Sequence, residues 1–188
     1  MAYQFKNITV LVIENSKPMF DLTKSVLQTF GVTQIYSAFG FDDGFMRMCR
    51  LNPDLVIIDW LEEPNNGMEL TKKIRRSHET PNPFVPIILM TGYSQKRRVI
   101  AARDAGITEF LVKPYTANAL YQRIEQLIEA PRSFVRNDSY FGPDRRRKKD
   151  SDYQGPERRD DPKNPEQPRL ASEKAREMRD RQPSDSKK

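Results

Sequence analysis

The strongest constraint on the fold is a series of five short apolar runs, spaced along the first two thirds of the chain. Four of the five are nearly continuous in valine, isoleucine and leucine, and do not alternate with polar residues. Continuous apolar strands are typical of parallel sheets that helices cover on both faces. The runs are ITVLVI (8–13), IYSA (35–38), LVII (55–58), PIILM (86–90) and EFLV (109–112).

The segments between these runs have the apolar spacing of amphipathic helices. In the first of them, Pro18 stands where a helix can begin and Gly31 where one can end. Strands that alternate with helices imply right-handed crossovers and a layered α/β fold. We therefore predict a flavodoxin-like, doubly wound sheet of five parallel strands in the order 2-1-3-4-5, with helices on both faces. The other predicted helices cover about 42–51, 67–78, 95–105 and 116–129.

The composition changes sharply after Ala130. Residues 1–130 contain 15 basic and 14 acidic side chains, whereas residues 131–188 contain 17 and 12, so the positive charge is concentrated in the tail. Only nine tail residues are apolar, which is too few to bury a core. The sequence therefore predicts a folded domain over residues 1–130 and a basic, low-complexity, mostly disordered tail over residues 131–188.

Two features indicate the compartment. No apolar run approaches the length of a transmembrane helix. The single cysteine, Cys49, cannot form an internal disulfide, which suits a reducing environment. We expect a cytoplasmic protein with no membrane contact.

Polar residues follow four of the five apolar runs. Glu14 and Asn15 follow the first run, Asp59 the third, Thr91 the fourth and Lys113 the fifth. In a doubly wound sheet, ligands bind outside the carboxyl ends of the strands, so these side chains are expected to face one crevice. Two acids, a hydroxyl and a lysine that converge on one point form a set of groups suited to phosphoryl transfer.

Each residue has a chemical role in such a site. The carboxylate of Asp59 can accept a phosphoryl group as an acyl phosphate. Glu14 can help to hold Mg²⁺, which prefers oxygen ligands and keeps several waters. Lys113 can pair with one phosphoryl oxygen, and Thr91 can donate a hydrogen bond to another.

The motifs around these residues carry a resemblance to a known family. VIIDW (56–60), GMEL (67–70), LMTG (89–92) and FLVKP (110–114) occur in the order and spacing of a bacterial response regulator receiver domain, which the chain resembles over about residues 6–130. The resemblance implies that a histidine kinase or phosphotransfer protein phosphorylates Asp59. It also implies that Thr91 and Phe110 move as a switch, that Lys113 contacts the phosphate, and that the Lys113-Pro114 bond is cis.

The resemblance further implies a magnesium site and an output surface. The Mg²⁺ ligands would be Glu14, Asn15, Asp59 and the backbone carbonyl of Leu61. The module would not be an enzyme beyond assisting its own phosphorylation and dephosphorylation. Phosphorylation would change protein binding through the face formed by the fourth helix, fifth strand and fifth helix, around Thr91, Phe110, Lys96, Arg97 and Arg98.

One departure from the family pattern concerns the metal. Receivers commonly have a second acid where this chain has Asn15, whose amide oxygen can ligate Mg²⁺ but carries no charge. We expect weakened but not absent Mg²⁺ binding. The alternative is a pseudo-receiver, a scaffold that keeps the fold and needs no phosphate.

The tail contains two copies of one short pattern. YFGPDRR (140–146) and YQGPERR (153–159) share the sequence aromatic-x-Gly-Pro-acid-Arg-Arg. Three interpretations remain open: a solvated extension, a receiver-gated contact with nucleic acid through basic and aromatic side chains, or bivalent docking to a protein partner. The candidate residues are Tyr140, Arg145, Arg146, Tyr153, Arg158 and Arg159.

Overall fold

The computed structural model describes residues 5–60, 67–92, 96–137 and 139–145, with the Lys96 side chain excepted. The longest helices have 13 residues, and within these ranges none is long and apolar enough to cross a bilayer. The elements alternate along the chain as the sequence predicts. They are β1 (Thr9–Ile13), α1 (Lys17–Thr29), β2 (Gln34–Ala38), α2 (Gly40–Leu51), β3 (Leu55–Asp59), α3 (Gly67–Arg76), β4 (Ile87–Thr91), α4 (Lys96–Ala105), β5 (Glu109–Val112), α5 (Ala117–Glu129), β6 (Phe134–Arg136) and β7 (Phe141–Pro143).

The first five strands form one sheet. Their order is β2-β1-β3-β4-β5 and every neighbouring pair is parallel, which confirms the predicted flavodoxin-like topology. In the register of this sheet, Asp59 lies opposite Met90 and Thr91 lies opposite Val112. The carboxyl ends of β3, β4 and β5 therefore lie at the same edge.

Two apolar cores explain why the strand sequences are continuous. Successive side chains of a strand point to opposite faces. In β1, Val12 contributes to the core beneath α1 and α5, and Ile13 contributes to the core beneath α2, α3 and α4. Both faces of the sheet are covered, so both sets of residues are apolar.

The structure corrects the prediction for the first part of the tail. β6 and β7 pair as an antiparallel hairpin after α5. Phe134, Tyr140 and Phe141 of this hairpin are buried, and the rings of Phe134 and Phe141 each lie 5.2 Å from that of Phe84, before β4. The sequence predicts a mostly disordered tail over residues 131–188, and the packed hairpin of Phe134–Arg136 and Phe141–Pro143 is a part of that tail which the sequence did not indicate. Residues 146–188 lie outside the described ranges, and with them Arg146, Tyr153, Arg158 and Arg159.

Candidate functional site

The polar side chains predicted from the strand ends meet around one lysine. Glu14 follows β1, Asp59 ends β3, and Lys113 follows β5. The Lys113 Nζ atom lies 2.9 Å from Glu14 Oε2 and 2.9 Å from Asp59 Oδ1. The lysine thus bridges two carboxylates from different strands, a contact that strand-end positions alone did not predict.

The two carboxylates differ in their access to solvent. Glu14 is only 2% exposed, and its second oxygen, Oε1, accepts a hydrogen bond from the Ser16 backbone N–H at 2.9 Å. The Asp59 side chain is 22% exposed. Of the two acids, Asp59 is therefore the one that solvent can reach.

The charge of Lys113 is stabilised by its partners. Burial acts to lower the pKa of this lysine, but hydrogen bonds and charge attraction from Asp59 and Glu14 outweigh burial and raise it. The site therefore holds a protonated lysine between two carboxylates, and this cation offsets their mutual repulsion.

The backbone at the end of β5 is anchored to β4. The Lys113 N–H donates to the Thr91 carbonyl oxygen at 2.7 Å, and the Lys113-Pro114 peptide bond is cis, as the family resemblance implies. Thr91 is fully buried next to this contact. Hydrogen bonding of the Thr91 hydroxyl to a phosphoryl group stays a prediction.

A second anchor, which the sequence did not indicate, follows the lysine. Thr23 is fully buried in α1 and donates its hydroxyl proton to the Met19 carbonyl oxygen at 2.9 Å. Because that proton is used, the Tyr115 hydroxyl donates to Thr23 Oγ1, at 2.7 Å. This bond ties the segment after Lys113 to α1, across 92 positions in sequence.

The first residue of α3 is also part of the site's framework. The Gly67 N–H donates to the Trp60 carbonyl oxygen at 2.7 Å, which joins the start of α3 to the residue that follows β3. A Cβ at this position would lie 2.6 Å from the Asp59 carbonyl oxygen and 2.8 Å from Leu89 Cδ1. Only glycine lets α3 begin this close to Asp59.

The carboxylates of Glu14 and Asp59 are the part of the predicted ligand set that fits Mg²⁺. Glu14 and Asp59 converge, and Mg²⁺ commonly binds one or two carboxylates while keeping waters. Asn15 is exposed, and its Oδ1 lies 3.9 Å from the position of a Cβ on Gly40. The predicted ligand Leu61 lies outside the described ranges. Among the residues described, no group of three or more His, Cys, Asp or Glu side chains forms a metal cluster.

The predicted switch residues lie on the α4 side of the sheet. Phe110 is half-buried against the core beneath α2, α3 and α4. The Arg98 guanidinium carbon lies 5.3 Å from the centre of the Trp60 ring, so α4 contacts the residue next to Asp59. Arg97 is exposed, and the Lys96 side chain lies outside the description. A switching role for this face stays a prediction.

The described tail residues lie at the other end of the sheet. Arg145 pairs with Asp104 in the last turn of α4, with 3.3 Å between Nη1 and Oδ1. Its guanidinium carbon lies 3.9 Å from the centre of the Tyr140 ring. The hairpin contacts the chain just before β4 and β5, whereas Asp59 lies where β3 ends. The described part of the first copy, Tyr140 to Arg145, is therefore not part of the site around Asp59.

Comparisons with known proteins agree with this geometry. A family model described as the response regulator receiver domain matches residues 10–125. The chain is 28% identical over 127 residues to the chemotaxis protein CheY-3 of Vibrio cholerae serotype O1, covering 66% of this chain and 94% of that protein. It is 27% identical over 123 residues to the chemotaxis protein CheY of Pseudomonas aeruginosa, covering 64% and 95%.

A solved structure extends the comparison to the fold. The high-resolution structure of the chemotaxis response regulator CheY4 of Vibrio cholerae superposes with a TM-score of 0.58 at 21% identity. The match covers 64% of this chain and 98% of that one. It supports the five-stranded α/β architecture, and the remaining third of this chain has no counterpart in it.

Proposed function

Because this chain belongs to the response regulator receiver family, we propose that it is a phosphoacceptor module in which Asp59 takes the phosphoryl group. Receiver domains are signalling modules and not classical enzymes; they interact with histidine kinases or phosphotransfer proteins and with downstream targets. For this chain in particular, we propose that Asp59 is the acceptor, that Glu14, Thr91 and Lys113 support it, and that the face of α4, β5 and α5 is the output surface. We also propose that the protein works in the cytoplasm.

The observation that carries the proposal is the lysine bridge between two carboxylates at the carboxyl edge of the sheet. Lys113 contacts both Glu14 and Asp59 at 2.9 Å. Asp59 is the more exposed acid, and Glu14 is buried and held by a second hydrogen bond. This division of roles supports Asp59 as the nucleophile and Glu14 as a fixed charge beside it.

The transfer step follows from these positions. A carboxylate oxygen of Asp59 attacks the phosphorus of a phosphohistidine; the P–O bond forms, the P–N bond breaks, and the leaving imidazole nitrogen takes a proton. Lys113 offsets charge on one phosphoryl oxygen, and Thr91 donates to another. Glu14, Asn15 and Asp59 would hold Mg²⁺ with the Leu61 carbonyl, and the ion when bound neutralises phosphoryl charge.

The proposed output runs through the face of α4, β5 and α5. Arg98 packs on the ring of Trp60, the residue after the acceptor. A phosphoryl group on Asp59 changes the charge beside this stacked pair, which biases the position of α4. The downstream target is then a protein that distinguishes the two positions, and the tail is a candidate second contact.

A second candidate is the phosphate-independent scaffold. Lys113 already satisfies one oxygen of each carboxylate without a phosphoryl group, and Asn15 removes one charge from the metal site. A scaffold of this kind keeps the fold and binds its partners in one state only. Phosphorylation separates the two candidates.

The test is incubation of the full chain with acetyl phosphate and Mg²⁺, followed by intact mass. We expect the wild type to gain one phosphoryl group and Asp59→Asn to gain none. Asp21→Asn, on the exposed face of α1, is the matched control and keeps the wild-type gain. A wild type that gains no mass, or as little as Asp59→Asn, favours the scaffold.

A further inference from the structure

The first copy of the repeated tail motif is docked through most of its shared residues. Tyr140 is buried, and its hydroxyl donates to the Pro143 carbonyl oxygen at 2.7 Å. Arg145 lies over the Tyr140 ring and pairs with Asp104 of α4. The Asp144 N–H donates to the Ser133 carbonyl oxygen at 2.7 Å, which closes the hairpin. The aromatic, proline and arginine positions of the pattern therefore all have a structural use.

The glycine of the motif is required by close packing. A Cβ on Gly142 would lie 2.6 Å from the Tyr140 hydroxyl oxygen and 2.9 Å from Gly106 Cα. Gly106, in the turn between α4 and β5, has a φ of +98°. The two glycines thus bring two backbone segments together at a distance that no side chain permits.

The surface that receives the motif is charged, and its arginine is held by hydrogen bonds to backbone carbonyls. We call it the motif site and define it as Arg75, Phe84, Asp104 and Gly106. Arg75 is 3% exposed and donates from Nε to the Gly106 carbonyl oxygen at 3.0 Å and from Nη1 to the Val85 carbonyl oxygen at 2.8 Å.

The buried guanidinium remains a cation near neutral pH. Burial lowers the pKa of Arg75 to about 9, and Tyr140 acts in the opposite direction. Its guanidinium carbon also lies 5.1 Å from the centre of the Phe134 ring, beneath the hairpin. The motif site therefore presents a fixed cation, an aromatic ring, a carboxylate and a bare glycine turn to an incoming segment.

The second copy repeats almost all of the residues that these contacts use. Tyr153, Gly155, Pro156 and Arg158 match the aromatic, glycine, proline and first arginine of the docked copy, at a spacing of thirteen positions. The copies differ at two positions: Gln154 replaces Phe141, and Glu157 replaces Asp144 with another acid. The described residues offer one motif site, and the sequence carries two segments of the matching pattern.

We propose that the motif site is a peptide-binding site for the pattern aromatic-x-Gly-Pro-acid-Arg, and that Tyr153–Arg159 of the same chain is its second ligand. A tethered segment faces its site at an effective concentration on the order of millimolar, which favours the same chain over a second copy. Docking of the second copy displaces residues 140–145 and releases the hairpin. The tail thus has two docked registers: in one the first copy occupies the motif site, and in the other the second copy does.

The aromatic cluster decides which register predominates. The Phe141 ring lies 5.2 Å from that of Phe84 and 5.7 Å from that of Phe134, and the Arg136 guanidinium carbon lies 4.3 Å from its centre. Gln154 cannot replace these contacts. The first copy is therefore the major occupant and the second copy the minor one, and Phe141→Gln shifts the balance toward the second.

Cross-linking of cysteine pairs measures both registers in the full chain. In a Cys49→Ser background, Asp104→Cys is combined with Arg145→Cys to report the first copy or with Arg158→Cys to report the second. Asp150→Cys, between the copies, is the matched control, because it is nearer to residue 104 along the chain than residue 158 is. A short thiol-specific cross-linker is added, and intact mass and peptide mapping quantify the products.

We expect the 104–145 pair to react fastest and the 104–158 pair to react faster than the 104–150 pair, in molecules of single-chain mass. Tyr153→Ala should abolish the excess at 158 and leave the other two pairs unchanged. Phe141→Gln should raise the 104–158 product about tenfold. Tyr153→Ala lies outside the hairpin, so the test remains decisive even if Phe141→Gln unfolds it.

Three results overturn the proposal. The first is a 104–158 rate no higher than the 104–150 rate, and the second is an excess that survives Tyr153→Ala. The third is a 104–158 product found only in covalent dimers, which would assign the second ligand to another chain.

Discussion

Asn15 and Glu14 are neighbours in sequence with opposite surroundings. Glu14 is buried and paired with Lys113, whereas Asn15 is exposed and uncharged. Restoring a charge at the exposed position adds attraction for a divalent cation without a large cost of burial. At this degree of exposure, one added charge contributes about 1 kcal/mol.

We therefore expect Asn15→Asp to tighten Mg²⁺ binding about fivefold. Titration of Mg²⁺ against the fluorescence of Trp60, the only tryptophan, measures the affinity. Asn7→Asp, which adds the same charge before the opposite end of β1, is the control and should leave the affinity unchanged. Equal Mg²⁺ affinities for wild type and Asn15→Asp would show that the side chain at position 15 does not contribute to Mg²⁺ binding.

Lys113 gives the stability of the domain a defined alkaline dependence. The folded state raises the pKa of this lysine, so it holds the proton more tightly than the unfolded chain does. The resulting stabilisation is complete below the ordinary lysine pKa and is lost as the pH rises through the raised value.

We expect the free energy of unfolding to fall more steeply with alkaline pH in wild type than in Lys113→Met. Urea unfolding at stepped pH values measures the difference, which should shrink as the pH rises. Lys6→Met removes an exposed lysine and serves as the matched control with the wild-type slope. A constant difference between wild type and Lys113→Met across the alkaline range would contradict the ion-paired geometry.

At the scale of elements, the start of α3 packs closely against the end of β3. Gly67→Ala places a methyl group against the Asp59 carbonyl oxygen and Leu89. We expect a loss of about 1–3 kcal/mol in unfolding free energy and slower phosphorylation by acetyl phosphate, because the Asp59 backbone must shift. Gly92→Ala, near the same edge, is the control, since its added Cβ meets no atom of a described residue within 4 Å. Equal effects of the two substitutions would show that packing at Gly67 does not position Asp59.

The elements that were predicted and those that were missed differ in physical origin. The strands from β1 to β5 are continuous apolar runs, and burial on both faces dictates that pattern. β6 and β7 have three residues each, too few to show a period, and they depend on Phe84 and Arg75, which are distant in sequence. Arg75 itself lies in a basic helix end where exposure is the usual outcome.

The same distinction holds within the site. Strand ends predicted that Glu14, Asp59 and Lys113 would converge, because a parallel sheet places those ends at one edge. Local sequence carries no sign of the bond between Tyr115 and Thr23, since the two residues are brought together only by the packing of α1 beneath the sheet.

In the whole molecule, one sheet links two sites at opposite ends. β4 begins at Ile87, whose N–H donates to the Thr108 hydroxyl next to the motif site, and ends at Thr91, whose carbonyl anchors Lys113. The strand is fully buried along its length. A loss of packing at the motif site therefore destabilises the end of β4 next to Lys113, because one continuous core connects the two.

This continuity predicts that the hairpin and the receiver fold unfold together. Phe141→Ala should cost about 3 kcal/mol and lower the midpoint of the transition followed by Trp60 fluorescence, although Trp60 lies beyond the far end of β3. Far-UV circular dichroism should give the same midpoint, since a single cooperative unit shows coincident transitions. Val135→Ala, half-buried in the same hairpin, should have a smaller effect on both. If the Trp60 midpoint is unchanged while circular dichroism is lost early, the hairpin is instead a separate folding unit. Its docking would then have no effect on the site around Asp59.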